Sequence, residues 1–447
     1  MEIALFEIAA MFVGMFLGMI MGLLPGIGAA TLMLLLYPLL LLPMVDIWVL
    51  MAVYIGIVNS GQYYGSVSAS VFGVIGESSS LPAVKNGYPL TLKGRGAEVL
   101  GSASTASYIA VLLSMLATSF IVMYTPESLL WMLKGKVVFF MLLATSAALI
   151  LNSGTILLSS MFMILGIVIS LVGYDDFFEY DILTFGITQL QGGVPMFPLF
   201  SGLLLVPIAL TSIRKRDQAT GATIKVSFKE RLYYIRKYIL HPSILRGTLI
   251  GFLSGFVPGS GYTASSNLAD NIEERFSRTY DDDTHKLRRL MSAEAANNAG
   301  SISVLIPLLM FGLPIVFSEA VFMGVAEVKG FSYSYSYEWL IDNWPNLLLI
   351  LIIVNTLNWL LAGVFFDLVL KVYENCKDWM YHFLIALSIT IMLYLGYNES
   401  RMLMSLIVFV LALPIGLAVK QTSAKYVFVY AYFVSELIVD EAYRILF

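Results

Sequence analysis

The chain has 447 residues, of which 59% are hydrophobic and 13% charged, with a net charge of −4. Soluble globular chains are about 45–50% apolar and about 25% charged, and they need polar groups to cover their surface. This composition, with a mean hydropathy of +0.84, therefore excludes a soluble domain and points to a bilayer. The net charge gives no reason to expect nucleic-acid binding. The single cysteine, Cys376, excludes an internal disulfide, and His241, His285 and His382 are scattered without zinc-site spacing.

In chain order, the N-terminal stretch carries Glu2 and Glu7 but no base. A cleaved leader starts basic, so a first span over residues 4–24 is expected instead. Apolar stretches follow near 27–42, 47–75, 99–123, 137–151, 154–173 and 198–213, then near 247–262, 296–313, 346–370, 383–397, 402–419 and 425–446. A spanning helix needs about 20 residues, and several of these stretches are shorter or interrupted. The expected fold is an all-α polytopic membrane protein of roughly 10–12 transmembrane helices with broken or re-entrant pieces.

Charge gives the orientation. Arg214, Lys215, Arg216, Lys225, Lys229, Arg231, Arg236, Lys237 and Arg246 face only Asp217 and Glu230 in the same segment, and Arg275, Arg278, Lys286, Arg288 and Arg289 follow closely. Both loops belong on the cytoplasmic side by the positive-inside bias. The chain between them, from Gly247 to Ala269, then enters and leaves on one side, as a hairpin broken at Pro258-Gly259. The alternative is a surface helix in one of the two loops.

An internal repeat stands out. Gly14, Gly18, Gly22, Pro25, Gly26 and Gly28 recur, at a constant offset of 233, as Gly247, Gly251, Gly255, Pro258, Gly259 and Gly261. A weaker echo sets GSVSAS from Gly65 against GSISVL from Gly300. The expected organisation is two inverted-topology membrane repeats, 1–213 and 247–447, joined by a basic cytoplasmic linker over 214–246. Paired Gly/Pro breaks in corresponding places of two halves mark a transporter site. Proline lacks an N–H and glycine lacks a Cβ, so the helix unwinds there. The freed carbonyls suit a cation, and the N–H groups that open the next helix suit an anion. For Gly14, Gly18, Gly22 and their counterparts the plainer reading is close helix packing through small residues.

At these residues the sequence resembles the large membrane subunit of tripartite tricarboxylate transporters, the TctA family. The resemblance rests on GLLPGIGAATLMLLLYPLL, on Tyr63, Gly65 and Ser66, on Gly76-Glu77, and on Gly87-Tyr88-Pro89 with Lys93-Gly94-Arg95. In the second half it rests on GFVPGSGYTASS, on Glu273 to Arg278 and on AEAANNA at Ala293 to Ala299. Departures from the family pattern are Tyr64, Ile75, Asn86, Asp281-Asp282-Asp283 and Ile315. The resemblance implies a secondary active, cation-coupled importer of a small di- or tricarboxylate in the bacterial inner membrane. It further implies a small four-span membrane subunit and a periplasmic solute-binding protein as partners, and no ATPase.

No Lys or Arg lies well inside an apolar span; Arg401 stands at an edge. Anion and cation recognition is therefore expected from backbone and neutral polar groups near the breaks. In the first half these are Pro25, Gly26, Gly28, Thr31, Asn59, Ser66 and Ser68. In the second half they are Pro258, Gly259, Ser260, Gly261, Thr263, Asn297, Asn298 and Ser301. An Asn offers donors and an acceptor, although an interhelical hydrogen bond is the plainer role for Asn297 and Asn298. Intramembrane acids are functional candidates by default, which singles out Glu319 and Glu294. The latter has a plainer alternative, charge stabilisation at a helix start. No organic cofactor or structural metal is expected. Na⁺ or H⁺ is the coupling ion, with Na⁺ at the broken helices. A passive anion channel, a structural membrane subunit and a membrane enzyme are the rival classes, and the last lacks any metal cluster, nucleophile pairing or phosphate loop. Substrate identity and homodimer formation stay open.

Overall fold

The computed structural model describes residues 5–24, 27–73, 78–124, 135–175, 180–213, 224, 226–257, 261–331, 336–398 and 401–446. Apart from one small antiparallel hairpin (β1, Gly173–Asp175; β2, Tyr180–Ile182), these residues form helices and short connections. Among the described residues, four helical runs are long and apolar enough to cross a bilayer: Ala83–Tyr124, Met196–Ile213, Ser336–Leu368 and Trp379–Asn398. Shorter apolar helices cover Phe6–Gly22, Ala29–Leu40, Lys136–Asn152, Ile156–Ser170 and Met402–Ala418. With the composition, this makes the chain a multi-pass, all-α membrane protein.

The first three helices are α1 (Leu5–Leu23), α2 (Ala29–Leu40) and α3 (Ile47–Phe72). Helix α1 has two faces. Phe6, Phe12 and Phe16 are exposed on one, while the other carries the glycines and presses on α3. A Cβ on Gly14 would lie 2.4 Å from the Val53 carbonyl oxygen, and one on Gly18 would lie 2.5 Å from that of Ile57. Only glycine allows this approach, which is the small-residue packing expected from the sequence. Both numbers rise together along the contact, so α1 and α3 run parallel and α2 returns between them. Asp46 starts α3 by accepting from the Val49 N–H at 2.8 Å, and Gly73 ends it in the left-handed region at φ 69°.

After short helical turns over 78–95, α4 (Gly96–Tyr124), α5 (Gly135–Asn152), α6 (Ile156–Ser170) and α7 (Met196–Ile213) complete the first half. The basic segment then forms α8 (Phe228–Tyr238), opened by a Ser227/Glu230 capping box.

The second half repeats the packing motif. Helices α9 (Pro242–Ser254), α10 (Gly261–Ser277) and α11 (Asp282–Ser303) follow in order. A Cβ on Gly247 would lie 2.1 Å from the Ser292 carbonyl oxygen, and one on Gly251 would lie 2.1 Å from that of Ala296. Thus α9 and α11 are also parallel, with α10 running back. Relative to Gly14–Val53 and Gly18–Ile57, the first helix of the motif is offset by 233 but the third by 239. The same 239 carries Asn59 to Asn298, Gly61 to Gly300, and the C-cap Gly73 to Gly312, which is also left-handed at φ 61°. The GSVSAS/GSISVL echo, offset by 235, is one helical turn out of this packing register.

Helices α3 and α11 meet in opposite directions. Ala69 shares a core with Leu287 and Leu290 near the start of α11, and Tyr54, at the other end of α3, lies 3.3 Å from Ser318 beyond α11. The remaining helices are α12 (Leu305–Phe311), α13 (Phe317–Val328), α14 (Ser336–Asn398), α15 (Met402–Ala418) and α16 (Ala424–Leu446). If straight, the 63 residues of α14 would extend about 95 Å. Yet Trp339 packs on Trp48 while Leu395 lines a cavity with Leu41, Leu42 and Pro43. The run therefore doubles back between its two apolar windows. One core spans both halves, from Ala10 to Leu437.

Candidate functional site

The crossing of α3 and α11 is polar. On α3, Asn59, Gln62 and Ser66 fall at helical spacing on one stripe; on α11, Glu294, Asn297 and Ser301 do the same. All six are buried. Where the stripes meet the end of α1 lies a small cavity lined by Gly22, Ile27, Gln62, Gly65, Ser66, Ser79, Ser80, Glu294 and Asn297. Its free volume is about 10 Å³, room for roughly one water-sized sphere.

The chemistry of this cavity is unbalanced. Ser66 and Glu294 line this cavity together, but Glu294 Oε2 has no partner among the described residues, and neither does Asn297 Oδ1. Glu294 and Asn297 are 1% and 4% exposed. A buried carboxylate costs several kcal/mol unless it is paired or protonated. Oxygen acceptors facing a space of this size suit a small hard cation or a proton. The alternative role for Glu294, at a helix start, does not hold. Helix α11 begins twelve residues earlier, where Asp281 caps the Thr284 N–H at 3.0 Å and Asp282 and Asp283 fill the first turn.

The other expected site residues divide into groups. Pro25, Gly26, Pro258, Gly259 and Ser260 lie outside the described residues. Gly28 caps α2 with extended backbone and accepts from the Leu32 N–H at 3.0 Å, so α2 starts right after the first break. Gly261 starts α10, which also contains Thr263. Thr31 is buried with its hydroxyl unpartnered among the described residues. Ser68 donates to the Gly22 carbonyl at 3.4 Å. Asn59 donates to the Ile55 carbonyl at 3.1 Å and leaves its Oδ1 unpartnered among the described residues.

Asn298 turns away from the cavity. Its amide donates to Ser107 on α4 at 2.9 Å and to the Glu294 carbonyl at 3.0 Å, and its own carbonyl accepts from Ser301 at 2.8 Å. Glu319 sits apart, at the start of α13, where one carboxylate oxygen accepts from the N–H groups of Ile315 at 2.8 Å and Val316 at 3.2 Å. That is a helix-capping geometry after the Pro314 break.

Gln62, Ser79 and Ser80 are site residues that the sequence reading missed. Gln62 was legible, three residues after Asn59 and four before Ser66 on one helical stripe. Ser79 and Ser80 carry no periodic signal; they reach the cavity because α10 holds their loop, through the Ser266 hydroxyl donating to the Ser79 carbonyl at 2.8 Å.

Among the described residues two bases outside the apolar spans or at their edge, Arg231 and Lys425, are buried, but neither lines this cavity. Arg231 donates to the carbonyls of Trp359 and Leu360 and lies over the Trp359 ring. Lys425 donates to the Lys420 carbonyl at 2.8 Å. Arg401 binds the Gly192 and Gly193 carbonyls at the rim of a separate cavity of about 450 Å³.

A family model described as the tripartite tricarboxylate transporter TctA family matches residues 8–429. A protein of Agrobacterium vitis, titled an uncharacterized 52.8 kDa protein in the TAR-I ttuC' 3' region, is 27% identical over 331 residues. That match covers 72% of this chain and 64% of the relative, so the chain spans a little under two thirds of that protein's length. No solved structure matches.

Proposed function

The chain belongs to the tripartite tricarboxylate transporter TctA family, and we propose that it is the large transmembrane subunit of a binding-protein-dependent importer. In this reading it carries a small di- or tricarboxylate inward across the bacterial inner membrane, driven by a Na⁺ or H⁺ gradient. Its partners are a small four-span membrane subunit and a periplasmic solute-binding protein, which supplies the high-affinity capture. Residues 1–213 and 247–447 act as two inverted repeats, with 214–246 as the cytoplasmic linker.

The observation that carries the proposal is the cavity at the α3–α11 crossing, where a buried carboxylate and amide meet the end of a half-helix. Half-helix ends at a repeat interface are where transporters hold coupling ions, and the N-termini of the following half-helices face anionic substrate. Here α1 ends beside the cavity, and α2 and α10 begin at Ala29 and Gly261. The parallel pairs α1–α3 and α9–α11, crossing in opposite directions, support two re-entrant hairpins of opposite orientation. The carboxylate then lies against the N–H groups that open α2 and α10.

The test is uptake of labelled di- and tricarboxylates by cells carrying all three components. Accumulation against a gradient is expected, abolished by an ionophore that collapses the cation gradient and by deletion of the binding protein. Equilibration without accumulation indicates a passive anion channel, and unchanged uptake without this chain indicates a structural subunit; either result overturns the proposal.

A further inference from the structure

The two helix breaks are related by sequence, so the packing register tells whether they are chemically equivalent. The contacts of Gly14, Gly18, Gly247 and Gly251 set α3 against α11 at an offset of 239, and the paired C-caps Gly73 and Gly312 agree. In that register Glu294 corresponds to Ile55, Asn297 to Val58, and Ser66 to Leu305. Gln62 corresponds to Ser301 and stays polar, but the acid, the amide and the hydroxyl of Glu294, Asn297 and Ser66 are replaced by aliphatic side chains at the related positions. Ile55, Val58 and Leu305 are buried in the apolar core.

From this asymmetry we propose that the chain binds one Na⁺ ion in the cavity at the end of α1, held by Glu294, Asn297 and Ser66, and none at the related position of the second half. The inference rests on the cation-coupled reading above and names its ion and place. Three observations choose Na⁺ over a proton. The carboxylate Oε2 and Asn297 Oδ1 are both buried and unpartnered among the described residues, and one cation is held by both oxygens at once. The donor set is oxygen only, as a hard cation requires. The cavity has room for about one water-sized sphere, whereas a proton needs none. The carboxylate and the ion together are neutral, which lowers the cost of holding either inside the bilayer. Gly22, at the C-terminal end of α1, adds the negative end of the helix dipole.

The experiment is equilibrium binding of ²²Na⁺ to the purified full-length chain. The expected result is saturable binding of one ion per chain, abolished by Glu294→Gln and weakened at least about tenfold by Asn297→Ala, the loss of one partner of a charged group. Glu319→Gln, at the α13 cap, leaves binding unchanged. If Glu294→Gln fails to fold, Asn297→Ala and Ser66→Ala carry the test, each with a tenfold loss expected. Binding that survives Glu294→Gln, two equivalent ions per chain, or dependence on Glu319 instead of Glu294 overturns the assignment. Substrate uptake by the three-component system separates the two claims. Accumulation that is driven by protons and indifferent to Na⁺ rejects the Na⁺ site and leaves the importer standing. Absence of any accumulation rejects the importer itself.

Discussion

Asn298 and Ser107 join α11 to α4 through a buried hydrogen bond of 2.9 Å, while Asn297, one residue earlier, faces the cavity with its oxygen unpartnered among the described residues. Neighbouring asparagines point about 100° apart on a helix, so their roles separate. Asn298→Ala is expected to destabilise the protein by roughly 1–2 kcal/mol, since buried interhelical hydrogen bonds contribute about that much or less. Its cation and substrate affinities stay near wild type. Asn297→Ala behaves the opposite way, with thermal stability kept and cation affinity lost. Melting curves and Na⁺ titrations on the same two preparations check both halves. An affinity loss in Asn298→Ala without loss of stability would show that the wrong asparagine has been placed at the cavity.

Two glycines divide in the same fashion. A Cβ on Gly251 meets the Ala296 carbonyl oxygen at 2.1 Å, whereas one on Gly65 meets nothing within 4 Å. Gly251→Ala therefore forces α9 off α11, and overpacking of this kind costs about 1–3 kcal/mol. A sharp fall in folded protein recovered from membranes is expected. Gly65→Ala is expected to fold normally, but Gly65 lines the cavity, and a methyl group takes up the space for one ion. Uptake should fall at least about tenfold while recovery is unchanged. Equal recovery of the two variants would contradict the parallel α9–α11 contact.

These cases show what was legible in the sequence. The glycine stripes announced helix pairs because a small-residue period has few uses other than close backbone approach. Glu294 was legible as an intramembrane acid but not as a cavity residue, because the start of α11 depends on Asp281, thirteen residues before Glu294. The register of the repeat was misread by one turn, since GSVSAS and GSISVL match as letters while the backbone contacts are set by Gly247 and Gly251. Ser79 and Ser80 were not legible at all: a loop is placed by what holds it, here Ser266 of another helix. Arg231 is one of the basic residues of the linker, yet its guanidinium donates to two carbonyls of α14, a contact that no local pattern encodes.

His241 gives the basic face a pH response. It caps α9, with Nδ1 accepting from the Ser243 N–H at 3.3 Å, which requires that nitrogen to be unprotonated. Burial first, and the nearby Arg288 guanidinium second, push its pKa down to about 4, with Glu273 opposing and Arg246 and Lys237 adding to the fall. The folded state therefore binds fewer protons than the unfolded state between about pH 6.5 and 4. Stability is fully present above the unfolded value and declines as pH falls through this window. A shift of this size corresponds to at most about 3 kcal/mol, and partial exposure reduces the expected loss to roughly 1–2 kcal/mol. His241→Asn keeps a capping acceptor and removes the titration, so its melting temperature should fall less than wild type between pH 7.5 and 4.5. Parallel pH profiles for the two proteins would remove His241 from the account.

The opposed hairpins make the most direct prediction about architecture. In the second half, α9 begins at Pro242, α10 ends at Ser277 and α11 begins at Asp282, beside the ion pairs of Lys93 and Arg95 with Asp283 at 2.5 and 2.8 Å. In the first half, α2 ends at Leu40 and α3 begins at Ile47, where the Lys329 ammonium donates to the Leu41 and Leu42 carbonyls at 2.9 and 2.7 Å. Helices α3 and α11 run opposite ways, so in the proposed inverted repeat the two hairpins open on opposite membrane faces, and the positive-inside bias puts the second on the cytoplasmic side. Single cysteines placed on a Cys376→Ser background test this with an impermeant thiol reagent. Reaction at Thr279→Cys and Lys237→Cys, both exposed, is expected only after the cytoplasmic side is opened, and reaction at the exposed Met44→Cys from the outside of intact cells. Labelling of Met44→Cys and Thr279→Cys from the same side would mean that the halves are not inverted. The 239 register would then describe a tandem repeat, and a single ion at the first break would no longer follow from inverted symmetry.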